Sequence, residues 1–460
     1  MSEEGIKILE TTLKSFKEIL DEYEVTHVIA AATAAIRQAA NQLEIVTRMK
    51  EKTGISIEIL SEEEEAYFGF LAVVHTMDTS SAVTIDIGGG STEITLFRDK
   101  KLEKSHSFPF GTVSLKQRFV KGDIINEAEK QELITFVQNQ FATLPWIHGV
   151  GLPIIGIGGS ARNVAQIHQQ QRDYPISGVH QYEMSDNDLH SLGNRLSALT
   201  YEQLVRLDGL SSDRADIIVP AIEVFRTLMD VVGSKQFLFT RQGLREGIII
   251  HAILKKDPNA FSKDNVFDQS ARNLAFQYGR EEEEVNYFCR IAEQLYDSCC
   301  QLQLFDYSKE DAQRICRAAK LYDLGEYIEI NSSNEHTFYL IANQSIDGLT
   351  HAERVKLALL TSYKNKDYFR RFSEPFLTWF SNEEVRKLRD FGALLKFVYA
   401  LNISKRRIVS NITLEKIDDK IRANIRLKGN STAEKYQANK QKKHLERALK
   451  HDIQLNFIEE

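Results

Sequence analysis

Cysteine and long hydrophobic runs are both scarce in this chain of 460 residues. The four cysteines all fall between 289 and 316 without the paired spacing of a metal site, and we expect them to be reduced and mostly packed thiols. No segment approaches the ~18 consecutive apolar residues that a membrane helix needs, and the acidic amino terminus lacks the apolar stretch of a signal peptide. We therefore expect a cytoplasmic protein with no membrane partner.

An excess of positive charge is also missing. The chain has 58 Lys and Arg against 65 Asp and Glu, which gives a formal net charge of -7. Its overall field does not attract nucleic acid, so we expect no such partner, and any polyanionic ligand must meet a local basic surface. With 42% hydrophobic and 27% charged residues the composition is globular, and at ~100 to 200 residues per domain the length predicts two to four domains.

The first 257 residues alternate between helical and strand patterns, which predicts an α/β fold. The expected helices cover 6–23, 34–52 and 62–74, and the expected strands cover 25–31, 55–60, 82–87 and 92–97. The last two strands form a hairpin around a glycine triplet. A further strand at 153–157 leads through glycines into a helix, for which Ser160 is the expected N-cap.

The rest of the chain has a different pattern. A polar, proline-containing stretch at 255–259 predicts a domain boundary, and amphipathic helical runs such as 286–302 and 312–321 follow it. Near the carboxyl end we expect strands at 409–414, 420–427 and 453–458 and a helix at 432–450. The predicted divisions are 1–68, 69–257, an all-helical 265–400, and a small α+β segment, 401–460.

The glycine triplet Gly88-Gly89-Gly90 with Ser91 is the most specific chemical signal. Glycines after a buried strand let a backbone approach an anion closely, and their N–H groups can surround a phosphate. Asp86 before the turn and Glu93 after it are the hard oxygen ligands that Mg²⁺ prefers. The alternative, a tight hairpin with an acidic rim, has about even odds for a triplet taken alone.

Three weaker signals accompany the triplet. The run Glu62-Glu63-Glu64-Glu65 suits a helix start, where carboxylates complement the dipole, but one of them can also orient a water for hydrolysis. The turn Gly158-Gly159-Ser160 favours an anion at a helix N-terminus, and its spacing does not fit a dinucleotide fingerprint. Arg37 can reach a phosphate, although a surface arginine is more often solvated.

Taken together and in order, these segments resemble the exopolyphosphatase and guanosine pentaphosphate phosphohydrolase family of the actin, sugar kinase and heat-shock chaperone superfamily. The segment A-T-A-A-I-R-Q-A at 32–39 is similar to the family's A-T-S-A-x-R-x-A, with Ala34 in place of serine. The segment at 60–66 is similar to I-S-G-x-E-E-A, with Glu62 in place of glycine. The other similar segments are 85–93, 156–163, 209–216 and 243–247.

The resemblance implies a role for each matching residue. Glu65 corresponds to the family's catalytic base, and Asp86 and Glu93 to its Mg²⁺-associated carboxylates. The residues that correspond to phosphate-binding positions are Arg37, Gly88, Gly89, Gly90, Ser91, Gly158, Gly159 and Ser160. The implied fold is a ribonuclease H-like, actin-type pair of lobes followed by a helical histidine-aspartate-like domain, and the implied assembly is a homodimer.

Two departures from the family pattern affect these expectations. The family's L-H-D-I-G reads Leu321-Tyr322-Asp323-Leu324-Gly325 here, and tyrosine is a poor replacement for a metal-binding histidine. We therefore predict no metal-hydrolase centre there and structural roles for His336 and His351. The chain's opening M-S-E-E-G-I aligns with L-S-E-E-G-I, which in the family follows a D-x-G-S-N-S phosphate turn, so we expect the first lobe to be incomplete.

The leading prediction is an exopolyphosphatase that uses Mg²⁺ to remove terminal phosphate from inorganic polyphosphate. Guanosine pentaphosphate is the close alternative substrate. A non-catalytic sensor of polyphosphate or of a guanosine alarmone is the second hypothesis, and a sugar or acetate kinase ranks last. Basic residues of the last helix can line a polyphosphate channel, though a solvated basic face is at least as good an explanation for each: Lys435, Lys440, Lys442, Lys443, Arg447 and Lys450.

Overall fold

The computed structural model describes residues 1–263 and 265–460. It separates into two compact units. The amino-terminal unit contains residues 1–174 and 179–263, and the carboxy-terminal unit contains 175–178 and the described residues that follow 264. The finer divisions drawn from the sequence stay a prediction. No helix within the described ranges has both the length and the apolar composition needed to cross a bilayer.

The amino-terminal unit opens with short elements around a small core. They are α1 Glu3–Glu22, β1 Ala30–Ala32, α2 Ala34–Arg37, α3 Gln42–Thr53, β2 Ile57–Ile59 and α4 Glu62–Val74. β1 and β2 pair in parallel over three residues. Buried side chains of α1, β1, α2 and α3 form the core: Ile6, Ala32, Ile36, Ile45 and Met49.

Two predictions for this region are wrong in part. The expected strand 25–31 is reduced to Ala30–Ala32, because the only ladder partner in the described residues is the three-residue β2. Val25, Val28 and Ile29 are 43–54% exposed, so their apolar character does not mark a buried strand. The expected helix 34–52 is interrupted at 38–41, where the N–H of Gln42 donates to the carbonyl of Ala39 in a turn.

A six-stranded mixed sheet is the centre of the unit. Its order is β5-β4-β3-β6-β8-β7, from β3 Ala82–Ile87, β4 Thr92–Arg98, β5 Lys101–Phe108, β6 Ile154–Ile157, β7 Tyr182–Ser185 and β8 Gln236–Phe239. β3 is antiparallel to β4 and parallel to β6, with Asp86 level with Ile157. Parallel neighbours end at the same edge of a sheet, so the glycines after β3 and those after β6 meet there.

Helices pack against this sheet. They are α5 Thr112–Phe119, α6 Glu127–Phe141, α7 Gly158–Gln171, α8 Asp186–Ser197, α9 Tyr201–Val205, α10 Ile218–Val232 and α11 Leu244–Lys256, with short 3₁₀ turns at Pro145–Ile147 and Ser212–Arg214. α10 is apolar on nearly every side, and its Phe225 packs on Phe237 of β8 with ring centroids 5.2 Å apart. This contact packs α10 on β8, the strand that pairs with β6.

The carboxy-terminal unit confirms the predicted change from helices to a small α+β segment. Its helices are α12 Val266–Gln277, α13 Glu282–Gln301, α14 Lys309–Lys320, α15 Ser333–Asn343, α16 His351–Thr361, α17 Lys366–Ser373 and α18 Asn382–Ala400, with 3₁₀ turns at Leu324–Tyr327, Ile330–Ser332 and Glu374–Phe376. The end comprises β9 Val409–Ile417, β10 Lys420–Leu427, α19 Thr432–Leu449 and β11 Asp452–Glu459. β10 lies between antiparallel β9 and parallel β11.

The expectation of four reduced cysteines is wrong. Cys289 on α13 and Cys316 on α14 form a disulfide, with Cα atoms 5.1 Å apart. Cys299 is a buried free thiol, and Cys300 is a half-buried one. The pairing depends on how α13 packs on α14, which no spacing of cysteines along the sequence reveals.

Candidate functional site

The two glycine turns meet at the shared edge of β3 and β6. Gly158, the first residue of α7, has φ +88° and lies directly against the carboxylate of Asp86. A Cβ atom at position 158 would be 2.6 Å from Asp86 Oδ1. Glycine is therefore required here on two counts, a left-handed backbone and the space that the carboxylate occupies.

The first glycine turn is held from behind by the start of α5. The N–H groups of Thr112 and Val113 donate to the carbonyls of Gly88 and Gly89, at 2.9 and 3.1 Å. None of Gly88, Gly89 and Gly90 has a positive φ. Gly88 donates to the carbonyl of Ser91, whereas the N–H groups of Gly89, Gly90 and Ser91 donate to no acceptor among the described residues. Three amides are thus left for an anion.

The second glycine turn differs from its predicted form. Ser160 is not the N-cap of α7, because the helix already begins at Gly158 and the cap position is Ile157. The side chain of Ser160 lies in the first helical turn, where its buried Oγ has no hydrogen-bond partner. A buried hydroxyl without a partner is costly in a folded protein and indicates a ligand position.

Sequence reasoning assigned no role to Arg214, which the fold brings to this turn. Asn163 of α7 accepts a hydrogen bond from the N–H of Ser211 at 2.6 Å and donates to the carbonyl of Gly159 at 2.9 Å. These bonds tie the 209–214 loop to the start of α7. The guanidinium of Arg214 then lies so close to Gly159 that a Cβ there would be 2.5 Å from Cζ. The only sequence signal was the glycine and arginine of the 209–216 segment.

Asp86 and Glu93 face each other across the β3–β4 ladder. Burial, with a smaller contribution from the charge of Glu65, raises the pKa of Asp86 to about 6, while Arg162 opposes the rise. Burial and the charge of Asp86 raise the pKa of Glu93 to about 7, although Glu93 accepts a hydrogen bond from Ser107 at 2.9 Å. Arg162 and Ser107 were not predicted as site residues. Glu93 is buried and Asp86 half-buried, and neither carboxylate forms an ion pair in the part of the chain that the structure describes.

Glu65 is placed by the first turn of α4, where Ser61 and Glu64 form a capping box. Arg37 at the end of α2 pairs with Glu65 and also donates from Nη1 to the carbonyl of Leu60 at 2.8 Å. Burial raises the pKa of Glu65, whereas Arg37 opposes the rise. The Nη2 atom of Arg37 is buried and has no hydrogen-bond partner. Nη1 thus positions the Glu65 carboxylate, whereas Nη2 lies 3.9 Å from Glu62 Oε1 and makes no hydrogen bond.

The chemistry of this donor set fits Mg²⁺. Hard carboxylate oxygens that repel one another are what a divalent cation neutralises. Among the described residues, two groups of three possible metal ligands have all their ligand atoms within 4.8 Å of one another. They are Cys289 with Glu293 and Cys316, and Asp186 with His190 and Asp230. Glu65, Asp86 and Glu93 are not such a group, which suits an ion that keeps waters and binds one or two carboxylates together with substrate phosphate.

The raised pKa values predict that stability depends on pH and on Mg²⁺. Between about pH 4 and 7 the folded chain keeps protons on Asp86 and Glu93 that the unfolded chain has released, so the free energy of unfolding falls as the pH rises. In EDTA we expect the Tm to drop by about 3 °C or more between pH 5 and 8 from these groups. Added Mg²⁺ should restore the Tm at pH 8 and have little effect at pH 5.

The control for this measurement is Asp86→Asn, which keeps the shape and removes one titrating group. The variant should show a shallower decline of Tm with pH and a smaller Mg²⁺ response. Identical pH profiles for the two proteins in EDTA would contradict the assignment of this buried carboxylate pair.

Comparison with known proteins places this geometry in a family. The model of the Ppx/GppA phosphatase family matches residues 1–256, and the model of Ppx/GppA phosphatase domain III matches residues 266–450. A bifunctional 3-dehydroquinate synthase/phosphatase from Fusobacterium nucleatum is 23% identical over 56% of this chain and 40% of its own length. A guanosine-5'-triphosphate,3'-diphosphate pyrophosphatase from Aeromonas hydrophila is 24% identical over 78% of this chain and 70% of its own.

Solved structures agree with the family models. The Ppx/GppA family member of Aquifex aeolicus and an exopolyphosphatase from Cytophaga hutchinsonii each match at 26% identity with a TM-score of 0.50, over 56% of this chain and 84% of theirs. They share the α/β fold of this chain over the part that they match. The two family models together cover both units, and on that evidence the chain belongs to the Ppx/GppA phosphatase family.

Proposed function

We propose that the chain is an exopolyphosphatase, which uses Mg²⁺ to remove the terminal phosphate of inorganic polyphosphate. The observation that carries the proposal is the meeting, at one edge of the sheet, of the Glu65, Asp86 and Glu93 carboxylates with donors that make no hydrogen bond. The donors are the amides of Gly89, Gly90 and Ser91, the hydroxyl of Ser160 and the Nη2 of Arg37. The donors suit the negative oxygens of a phosphate chain, and the carboxylates suit the cation that such a chain binds.

In this proposal Glu65 is the general base. It accepts a proton from a water molecule whose oxygen forms a bond to the terminal phosphorus, while the bridging P–O bond breaks and the shortened chain leaves as the oxyanion. Arg37 pairs with Glu65, holds it in position and opposes the rise in its pKa. Asp86 and Glu93 would hold Mg²⁺, which would supply positive charge near the phosphate oxygens. The glycine-turn amides and Ser160 orient the terminal phosphate.

The proposal and its alternative differ in the substrate, which is inorganic polyphosphate in the first and guanosine pentaphosphate in the second. The groups assigned at the site recognise phosphate and a cation, and inorganic polyphosphate consists of phosphate alone. The Cytophaga relative is named an exopolyphosphatase, whereas the Aeromonas relative is named for a guanosine nucleotide. Guanosine pentaphosphate thus stays the alternative substrate.

The test is phosphate release by the full chain from long-chain polyphosphate and from guanosine pentaphosphate, each with Mg²⁺ and with EDTA. Faster Mg²⁺-dependent release from polyphosphate would support the proposal, and the reverse order would favour the nucleotide. Tight binding of polyphosphate by a folded chain that releases no phosphate would overturn the enzyme and favour the sensor.

A further inference from the structure

The carboxy-terminal unit contains a polar pocket of about 200 Å³ that the proposed function does not use. It lies among α15, α16, α18 and α19, next to the Tyr322-Asp323 segment. Its polar lining includes Asn334, Lys364, Lys396, Gln437 and Gln441. All five of these side chains carry hydrogen-bond donors, and two are cationic.

Asn334 provides the first indication of a ligand. Its side chain is 8% exposed, and its Nδ2 atom is buried without a hydrogen-bond partner. Leaving an amide donor unsatisfied in a protein interior costs about 1 to 3 kcal/mol. An acceptor bound in the pocket would remove that cost.

The lysines provide a second, independent indication. Lys396 on α18 donates to the carbonyl of Lys364 and lies 3.3 Å from Nε2 of His444 on α19. Lys364, Lys440 and Lys443 add positive charge around it, and none of the four lysines forms an ion pair with a carboxylate in the described residues. Burial and these neighbours lower the pKa of Lys396 to about 8. A cluster of cations that form no ion pair with a carboxylate favours an anion.

The other lysines of α19 differ from this group. Lys435 pairs with Glu459 and Lys442 pairs with Glu446, at 2.8 and 2.7 Å. Their charge is already compensated within the protein. The basic residues of α19 therefore do not act as one uniform surface, and the uncompensated charge lies near the pocket.

One carboxylate also lines the pocket, that of Asp323. Burial raises its pKa, and the nearby hydroxyls of Ser333 and Tyr399 oppose the rise. The carboxylate therefore has polar neighbours within the protein, whereas the Nδ2 atom of Asn334 has no hydrogen-bond partner. The groups left to bind a ligand are donors.

We propose that this pocket is a binding site for a compact phosphate anion, held by Asn334, Lys364 and Lys396. The proposal concerns the carboxy-terminal unit and goes beyond the hydrolase function, on which it does not depend. Pockets for drug-sized ligands measure about 300 to 1,000 Å³, so the smaller volume here suits inorganic phosphate, pyrophosphate or a small phosphomonoester.

The rate at which Lys396 is acetylated can report whether an anion occupies the pocket. The full chain would be treated with acetic anhydride at pH 8 in EDTA, which suppresses cation-dependent turnover, and the acetylation rate of each lysine followed by peptide mass spectrometry. The probes are inorganic phosphate, pyrophosphate and glycerol 3-phosphate, against chloride at equal ionic strength. At a probe concentration ten times Kd, acetylation of Lys396 should slow about tenfold, with Lys442 of the same region as the control that stays unchanged.

Asn334→Asp tests the pocket's donor with an isosteric change that places a carboxylate beside the anion. Protection of Lys396 should be lost in this variant. Lys364→Gln changes a half-buried side chain and is the second variant if the first does not fold, with the same expected loss. The anion that protects best identifies free phosphate, pyrophosphate or a phosphomonoester as the ligand class. Equal acetylation of Lys396 in all three anions and in chloride would overturn the proposal, whether or not the chain hydrolyses polyphosphate.

Discussion

Glu65→Gln is expected to lower the rate of phosphate release from polyphosphate by about 10² to 10⁴, the usual contribution of a positioned general base. Glutamine has the shape of glutamate but cannot accept the proton of the attacking water. Glu65 is half-buried and pairs with Arg37, so the carboxylate is fixed at one place beside the carboxylate pair of β3 and β4. Its loss should affect kcat far more than substrate affinity.

Glu63→Gln is the matched control. It removes the same charge from the same run of α4, but Glu63 is exposed and does not pair with Arg37. Its activity should equal that of the unchanged chain. A second readout separates lost chemistry from lost structure, because the charge of Glu65 raises the pKa values of Asp86 and Glu93. In Glu65→Gln the Mg²⁺-dependent rise in Tm should therefore begin at a lower pH. A variant that keeps more than about a third of the activity would refute Glu65 as the base.

Gly158→Ala is expected to reduce kcat by about 10- to 100-fold, because a misplacement of about 1 Å at a catalytic group has costs of that size. The new Cβ would lie 2.6 Å from Asp86 Oδ1, which must then move. Since Asp86 is the proposed ligand of Mg²⁺, the concentration of Mg²⁺ that gives half-maximal activity should rise as well.

Gly151→Ala separates the steric contact from backbone strain. Gly151 also has a positive φ, +65°, but no heavy atom lies within 4 Å of its Cβ position. Both variants should lose about 1 to 2 kcal/mol of stability from the left-handed backbone, whereas only Gly158→Ala should lose activity. Equal activity of the two variants would show that the contact between Gly158 and Asp86 has no part in the reaction.

The sequence by itself determined the elements that carry the site. Residues 82–87 form a strand because their side chains are buried in a sheet, and the glycines that follow end it, so β3 is found where the pattern predicts it. The capping box of Ser61 and Glu64 is a local signal, and α4 begins at the predicted residue. Fold class and family depend on the order of such local segments. Cytoplasmic location and dimer formation stay predictions.

Only the tertiary structure decided which groups meet and which remain without partners. The pairing of Arg37 with Glu65, the position of Arg214 against Gly159 and the disulfide each join residues distant in the sequence. The position of Ser160 inside α7 rather than at its cap depends on Gly158, whose left-handed backbone starts the helix three residues early beside Asp86. A sequence pattern reports local preference and periodicity, whereas burial and the distance between charges exist only after the chain has folded. The raised pKa values of Asp86 and Glu93 arise from that burial and proximity.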